Sequence, residues 1–413
     1  MKVAIVGGGA AGMMAAAALS EAGSGIEVFV IEKNAVLGRK VVISGGGRCN
    51  VTTGLRDVRK VLECYPRGNK FLNSAMNKFP PEKVFEWFEN HEVLLKVEKD
   101  LRVFPISNDG HDVVGVFERI FQDLGVNILL KHSVERISRS ANNKFVLSFK
   151  DGLEMEFDAV VLTTGGQAYR FTGSSGEGYG FAEALGHTIT KLAPSLNSFI
   201  TQEEWPKNLA GVSLAKATLR AGKAKYTGPF LFTHKGVTGP AVFALSSLVA
   251  FEDYGKTKPL EVLIDLLPDT GFGEFEGEFL KEVSKNPKKN FSNSVGEFLI
   301  KSIAKEALAV LGISDRKNAE VSKKDLNRVI FWIKNVPLHV VERGAGDEFV
   351  TAGGVSLNEV DSKTMESKIC PGLYFAGEIL DIDGFTGGFN LQASWATGRL
   401  AGESIIEKGR SQV

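Results

Sequence analysis

The sequence predicts an α/β fold in which a parallel-sheet domain, assembled from both ends of the chain, carries a β-barrel-like and a helical insertion. Three observations lead there. Short apolar runs of buried-strand type occur near both termini, at 3–6, 28–31, 158–162 and 373–375. From about 192 to 267 the pattern changes to short β-prone runs broken by glycine and proline. From 272 to about 334 apolar residues such as Phe279, Val283, Phe298, Ile303 and Leu308 recur at helical spacing among charges.

The first element is Val3, Ala4, Ile5 and Val6, followed at once by Gly7, Gly8, Gly9, Ala10, Ala11 and Gly12 and a helix-prone stretch from Met13 to Ala22. Strand, glycine turn and helix form a Rossmann-like unit: Gly7 permits the turn, Gly9 clears space for a pyrophosphate, and Gly12 lets helix and strand approach. Helix amides and dipole then attract phosphate. The second run ends in Glu32 and Lys33, with Glu32 placed 20 residues beyond Gly12 to accept from adenosine ribose hydroxyls. That acid favours an unphosphorylated ribose over NADP. The same opening, Lys2 and then 3–19, imitates a secretory signal, but its glycines make a poor apolar helix. No other run reaches about 18 apolar residues, so a cytoplasmic protein without a membrane partner is expected.

The segments that follow separate FAD from NAD. Gly38, Arg39 and Lys40 lead into Ser44, Gly45, Gly46, Gly47, Arg48, Cys49 and Asn50, a second glycine-rich loop suited to the close approach of a long, flat cofactor. The run at 158–162 ends in Thr163, Thr164, Gly165 and Gly166, and the run at 373–375 in Ala376, Gly377 and Glu378. Asp381, Asp383, Gly387 and Gly388 then precede a helix starting near Phe389, Asn390 and Leu391. Its N-terminus suits the negative charge of a reduced flavin; the competing reading is a plain loop before an amphipathic helix.

Ser44 to Asn50, Phe104 with Pro105, Tyr169, the run from Thr172 to Gly178, the run from Phe232 to Pro240, and Gly377 through Gln392 together resemble the BaiN/YhiN-type flavoproteins over nearly the whole chain. The resemblance implies bound FAD, oxidoreductase activity and a three-part layout. It also implies an adenine contact through the backbone at Val134, and a bond from Asp381 to the flavin ribityl chain. Phe389 replaces a common tyrosine and Thr238 a common serine, and the tryptophan of the last helix is displaced to Trp395.

On this reading residues 1–191 and 340–413 form the FAD domain with a helical excursion at 58–124, residues 192–270 a substrate barrel, and residues 271–339 a helical cap. The flavin carries the hydride, so the protein must position substrate and manage a proton. Arg48, Cys49 and Asn50 are expected near the ring, Arg48 against negative charge, Asn50 bonding the ring edge, and Cys49, which lacks a resolving partner, as a packing residue with a reactive thiol as the competing role. His234 leads as proton donor, Tyr169 follows, and the competing role for a lone histidine is structural. One complete nucleotide fingerprint means that either NAD(P)H binds transiently or the substrate itself reduces the flavin. The alternative to an enzyme is a flavin-binding redox-responsive regulator or scaffold.

Composition sets outer bounds. Lysine plus arginine and aspartate plus glutamate are 49 each, so no global field steers the chain to nucleic acid. The basic runs at 285–289 and 316–324, without interleaved aromatics, are read as solvated faces. A small-molecule substrate is therefore expected, with no nucleic acid and the oligomeric state open. Cys49, Cys64 and Cys370 lack a C-x-x-C spacing, and the six histidines offer no H-x-x-x-H pair, so neither a disulfide framework nor a metal site is expected.

Overall fold

A computed structural model describes residues 1–23, 25–344 and 349–410. Its contacts divide the chain into two compact units, Met1–Pro194 with Phe349–Val413, and Ser195–Glu348.

The first unit is built on a five-stranded parallel sheet in the order Leu373–Phe375, Ala159–Leu162, Lys2–Val6, Glu27–Glu32, Asn127–Leu130. The apolar runs at both chain ends thus pair in one sheet. Helix Ala10–Glu21 is buried on every side from Ala10 to Leu19, which is why it is apolar all round. It packs against helix Phe389–Arg410 at glycines: a Cβ on Gly398 would stand 2.3 Å from Ala11 O, and one on Gly402 2.8 Å from Ala15 O.

The excursion holds helices Val58–Glu63, Asn73–Lys78, Pro81–Asn90 and Gly110–Asp123. It also holds strands Leu95–Val97 and Arg102–Pro105; Arg102–Pro105 lies in the middle of a three-stranded antiparallel sheet, between Thr52–Thr53 and Leu95–Val97. Trp87 stacks on Phe117, and Phe117 on Trp395. The Trp395 indole donates to Val51 O at 2.9 Å, tying the last helix to the end of the second glycine loop. A second antiparallel sheet, Val134–Arg139, Phe145–Phe149 and Glu154–Phe157, follows the outermost parallel strand.

The second unit is a closed six-stranded barrel with helices Phe272–Lys285, Phe291–Val295, Lys301–Leu311 and Lys323–Lys334. Strand Val336–Arg343 closes it, pairing with Leu260–Asp265 on one side and Phe199–Thr201 on the other. The boundary expected between 339 and 340 falls inside this strand, because closure needs one more strand than the run from 192 to 270 supplies. Barrel and helices share one hydrophobic core in which Phe230, Val262 and Leu338 join Phe279, Ile303 and Ile333. Among the described residues no helix is long and apolar enough to cross a membrane.

Candidate functional site

The first glycine turn leaves strand Lys2–Val6 at its carboxyl end. Gly7 has φ +112°, and a Cβ there would sit 2.6 Å from Thr163 O; one on Gly12 would sit 1.9 Å from Gly7 O. Gly9 differs, since a Cβ there meets nothing within 4 Å. Its missing side chain serves space outside the protein's own packing. Helix Ala10–Glu21 has no side-chain cap and no acid in its first turn, so the amides after Ala10 and Ala11 suit a phosphate.

Glu32 ends the adjacent strand and is buried. Its carboxylate already accepts from Gly8 N (2.8 Å), Asn34 N (2.8 Å) and Asn34 Nδ2 (2.7 Å). It therefore braces the turn, a role its spacing did not disclose, and keeps one lone pair, on Oε2, for a ribose hydroxyl. Asn34 also accepts from Arg39 and donates to Thr172 O. Lys33 donates to Ser175 and Glu177, both at 2.7 Å. The amide of His132 donates to Glu32 O, so the chain reaches Val134, buried at the start of its strand, directly from this strand end.

In the second glycine loop Gly45, Gly46, Gly47 and Cys49 all have positive φ. A Cβ on Gly46 or Gly47 meets nothing within 4 Å, whereas one on Gly45 would meet Phe104 at 2.9 Å. The Ser44 hydroxyl is bonded to Val41 O and its carbonyl to Cys49 N. The Cys49 thiol is wholly buried, and burial pushes it up to about 12, so it is a neutral packing group. Asn50 Oδ1 accepts from Val103 N at 3.2 Å. The Arg48 guanidinium pairs with Glu98 at 2.7 Å and lies 3.7 Å from the Phe104 ring centre. It is already partnered by a carboxylate, which weakens its expected use against flavin charge.

Thr163 Oγ1 donates to Gly7 O at 2.8 Å, fixing the third turn to the first. The neighbouring Thr164 Oγ1 is buried without a partner among the described residues. Gly165 has φ +72°, and a Cβ on Gly166 would meet Thr351 Oγ1 at 2.5 Å. Lys40 pairs with Glu378 at 2.6 Å, and its ammonium lies 5.8 Å from the Tyr169 ring centre. Tyr169, itself at φ +56°, stacks on Phe349.

At the last turn Gly377 has φ +77° and its amide donates to Thr397. A Cβ on Gly388 would strike Thr52 O at 2.1 Å. Asn390 forms two 2.8 Å bonds with the backbone of Gly384, closing the loop before the helix that Phe389, Asn390 and Leu391 begin. Phe389 O accepts from the Tyr65 hydroxyl at 2.6 Å. Asp383, fully buried, forms a two-pronged pair with Arg67. Sequence reasoning missed Tyr65 and Arg67, whose partners lie 324 and 316 residues away. Asp381 Oδ1 is buried without a partner, and burial raises its acid above the usual carboxylate range, against the Thr190 hydroxyl and Arg67.

The first unit thus carries turns at the carboxyl ends of three parallel strands, after Val6, Leu162 and Phe375, together with the second glycine loop, which follows helix Arg39–Ile43; the carboxyl edge is the usual ligand edge of such sheets. Free space over Gly9, Gly46 and Gly47, and unpartnered polar atoms on Thr164 and Asp381, fit a long phosphate-bearing cofactor. His234 belongs to the second unit, exposed on the turn between Ala224–Thr233 and Gly236–Thr238.

Residues 1–404 match the HI0933-like protein Rossmann domain family. The chain is 30% identical to the 3-dehydro-bile acid delta(4,6)-reductase of Clostridium scindens, across 98% of this chain and 99% of that one. It is 29% identical to the ribosomal RNA dihydrouridine synthase of Escherichia coli, across 97% of each. In fold it resembles the 3-ketosteroid-delta4-(5alpha)-dehydrogenase of Rhodococcus jostii, with TM-score 0.51, 16% identity and coverage of 98% of this chain and 96% of that one. An open glycine turn on a parallel sheet, together with a family match over nearly the whole length, establishes that the chain belongs to the HI0933-like Rossmann family, flavoprotein oxidoreductases of the BaiN/YhiN type.

Proposed function

We propose that the protein is an FAD-dependent reductase of a carbon–carbon double bond conjugated to a carbonyl. The observation that carries this reading is a shared reaction. A Δ4,6-3-keto bile acid and the uracil ring of uridine both present such a bond, and the two relatives named for reducing them match this chain end to end. The substrate we infer is a small organic compound of this class; uracil within RNA is the second reading, favoured by the dihydrouridine synthase relatives. A regulatory scaffold gains no support from either.

Bound FAD would supply hydride to the carbon β to the carbonyl. The chain's residues do the rest. Amides after Gly9 bind the pyrophosphate, Glu32 the adenosine ribose, and Asp381 the ribityl chain, while the glycines of the second loop keep side chains off the ring. The backbone at Val134 meets adenine, and the helix begun by Phe389, Asn390 and Leu391 opposes negative charge on the reduced ring. Arg39, Lys40, Gly165, Gly166, Gly377 and Glu378 shape the turns that hold these groups in place. Tyr169 or His234 delivers the proton to the α carbon. NADH or NADPH is the proposed reductant, bound transiently.

The test is anaerobic. The FAD-loaded protein is mixed with NADH or NADPH until the flavin band bleaches, and then with a 3-keto-4-ene steroid or a uridine-containing RNA. Reoxidation by either, with the saturated product found, supports the reading. A reduced flavin that reacts with oxygen alone refutes it.

A further inference from the structure

Residues 281–289 and 316–324 of the second unit carry eight basic and two acidic side chains between them, in a chain whose charges cancel overall. Read one at a time, each run is a solvated face. The fold lays them side by side: Asn318 N donates to Lys289 O at 3.0 Å and Ala319 N to Pro287 O at 3.1 Å. The buried Asn318 amide clamps the join through Asn286 O at 2.7 Å and Ser294 Oγ at 2.8 Å.

Here helix Phe272–Lys285 and the approach to helix Lys323–Lys334 enclose a groove of about 670 Å³, lined by Leu280, Val283, Pro287 and Ala319 together with Lys281 and Lys323. The nearby carboxylates are mostly engaged. Glu282 and Glu297 hold Lys289 at 2.8 and 2.7 Å, and Asp325 bonds Ser322 and Arg328. Lys281, Lys285, Lys288, Lys323 and Lys324 are exposed, and among the described residues none is in an ion pair. The exposed acids beside them are Glu278 and Glu320.

We propose that this groove is an RNA-docking surface, with phosphates at the five lysines and ribose faces over the apolar strip. Lysine serves phosphate as a mobile point charge, and a row of such charges gains affinity by releasing the counterions of a polyanion. An acidic amphipathic helix would also fit an apolar groove with basic edges. The choice of RNA rests on the second substrate reading above, that relatives of this length and identity act on ribosomal RNA.

Fluorescence anisotropy of a labelled uridine-rich RNA oligonucleotide, titrated with the FAD-loaded full chain at several salt concentrations, tests this. Five phosphate contacts on single-stranded RNA give a log–log salt slope of about −3.5. The K281Q/K285Q/K288Q/K323Q/K324Q variant should bind at least ~10-fold more weakly with a slope near zero, while its flavin content and its reduction by NAD(P)H stay unchanged. Equal binding by both proteins, no binding by either, or displacement of RNA by polyglutamate as readily as by unlabelled RNA overturns the proposal. Loss of binding in the variant without RNA-dependent flavin reoxidation in the wild type keeps the docking surface and removes RNA as substrate. RNA-dependent turnover with unchanged binding removes the surface and keeps the substrate.

Discussion

Gly9→Val separates the phosphate path from the protein's own packing. At Gly9 a Cβ would meet no atom within 4 Å, and the backbone, at φ −84° and ψ −169°, is extended and open to any residue. The apoprotein should therefore fold, losing only about 1 kcal/mol for a poorer helix cap. FAD should not bind, because a branched side chain then occupies the space over the first helix turn. With FAD at 100 times its dissociation constant the wild type gains about 2.7 kcal/mol of stability, and the variant should gain none. Thermal unfolding with and without added FAD, beside flavin absorbance after desalting, reads both quantities. A variant that keeps one flavin per chain refutes the turn as phosphate site; a variant that does not fold refutes the claim that the space lies outside the protein.

Gly12→Ala should act oppositely, costing about 3 kcal/mol or more in the apoprotein, since its Cβ would lie 1.9 Å from Gly7 O; a melting temperature equal to that of wild type would contradict this. Asp381 is held above the usual carboxylate range by burial, so the folded apoprotein binds its proton more tightly than the unfolded chain. Stability is lost as pH rises through that raised value. Asp381→Asn should stabilise the apoprotein at neutral pH, leave it unchanged well below the carboxylate range, and weaken FAD by about 1 kcal/mol; pH-dependent melts and flavin titration check each part. His234→Gln should keep FAD content and slow turnover by about 10²- to 10⁴-fold if His234 supplies the proton. Unchanged single-turnover rates pass that role to Tyr169.

How far the site could be read depends on the range of each signal. The turn at 7–12 was legible because its tightest constraint is local: the 1.9 Å approach at Gly12 is to Gly7 O, five residues away, although Gly7 itself is also hemmed in by the distant Thr163. Gly46 and Gly47 were legible for the same reason. Arg48 was only half legible, since its motif position says nothing of Glu98, which arrives on the loop after Leu95–Val97.

The sequence by itself determined the strand, turn and helix units, the helical spacing at 272–334, and the open glycines of the two turns. These follow from steric limits and apolar periodicity within one segment. Only the tertiary structure decided that Leu373–Phe375 pairs beside Ala159–Leu162, that Val336–Arg343 closes the barrel, and that Asp383 meets Arg67 across 316 residues. It alone placed two separate basic runs along one groove. Such pairings are selected by shared burial and by the need to pair each buried polar group, and both belong to the assembled chain rather than to any stretch of it.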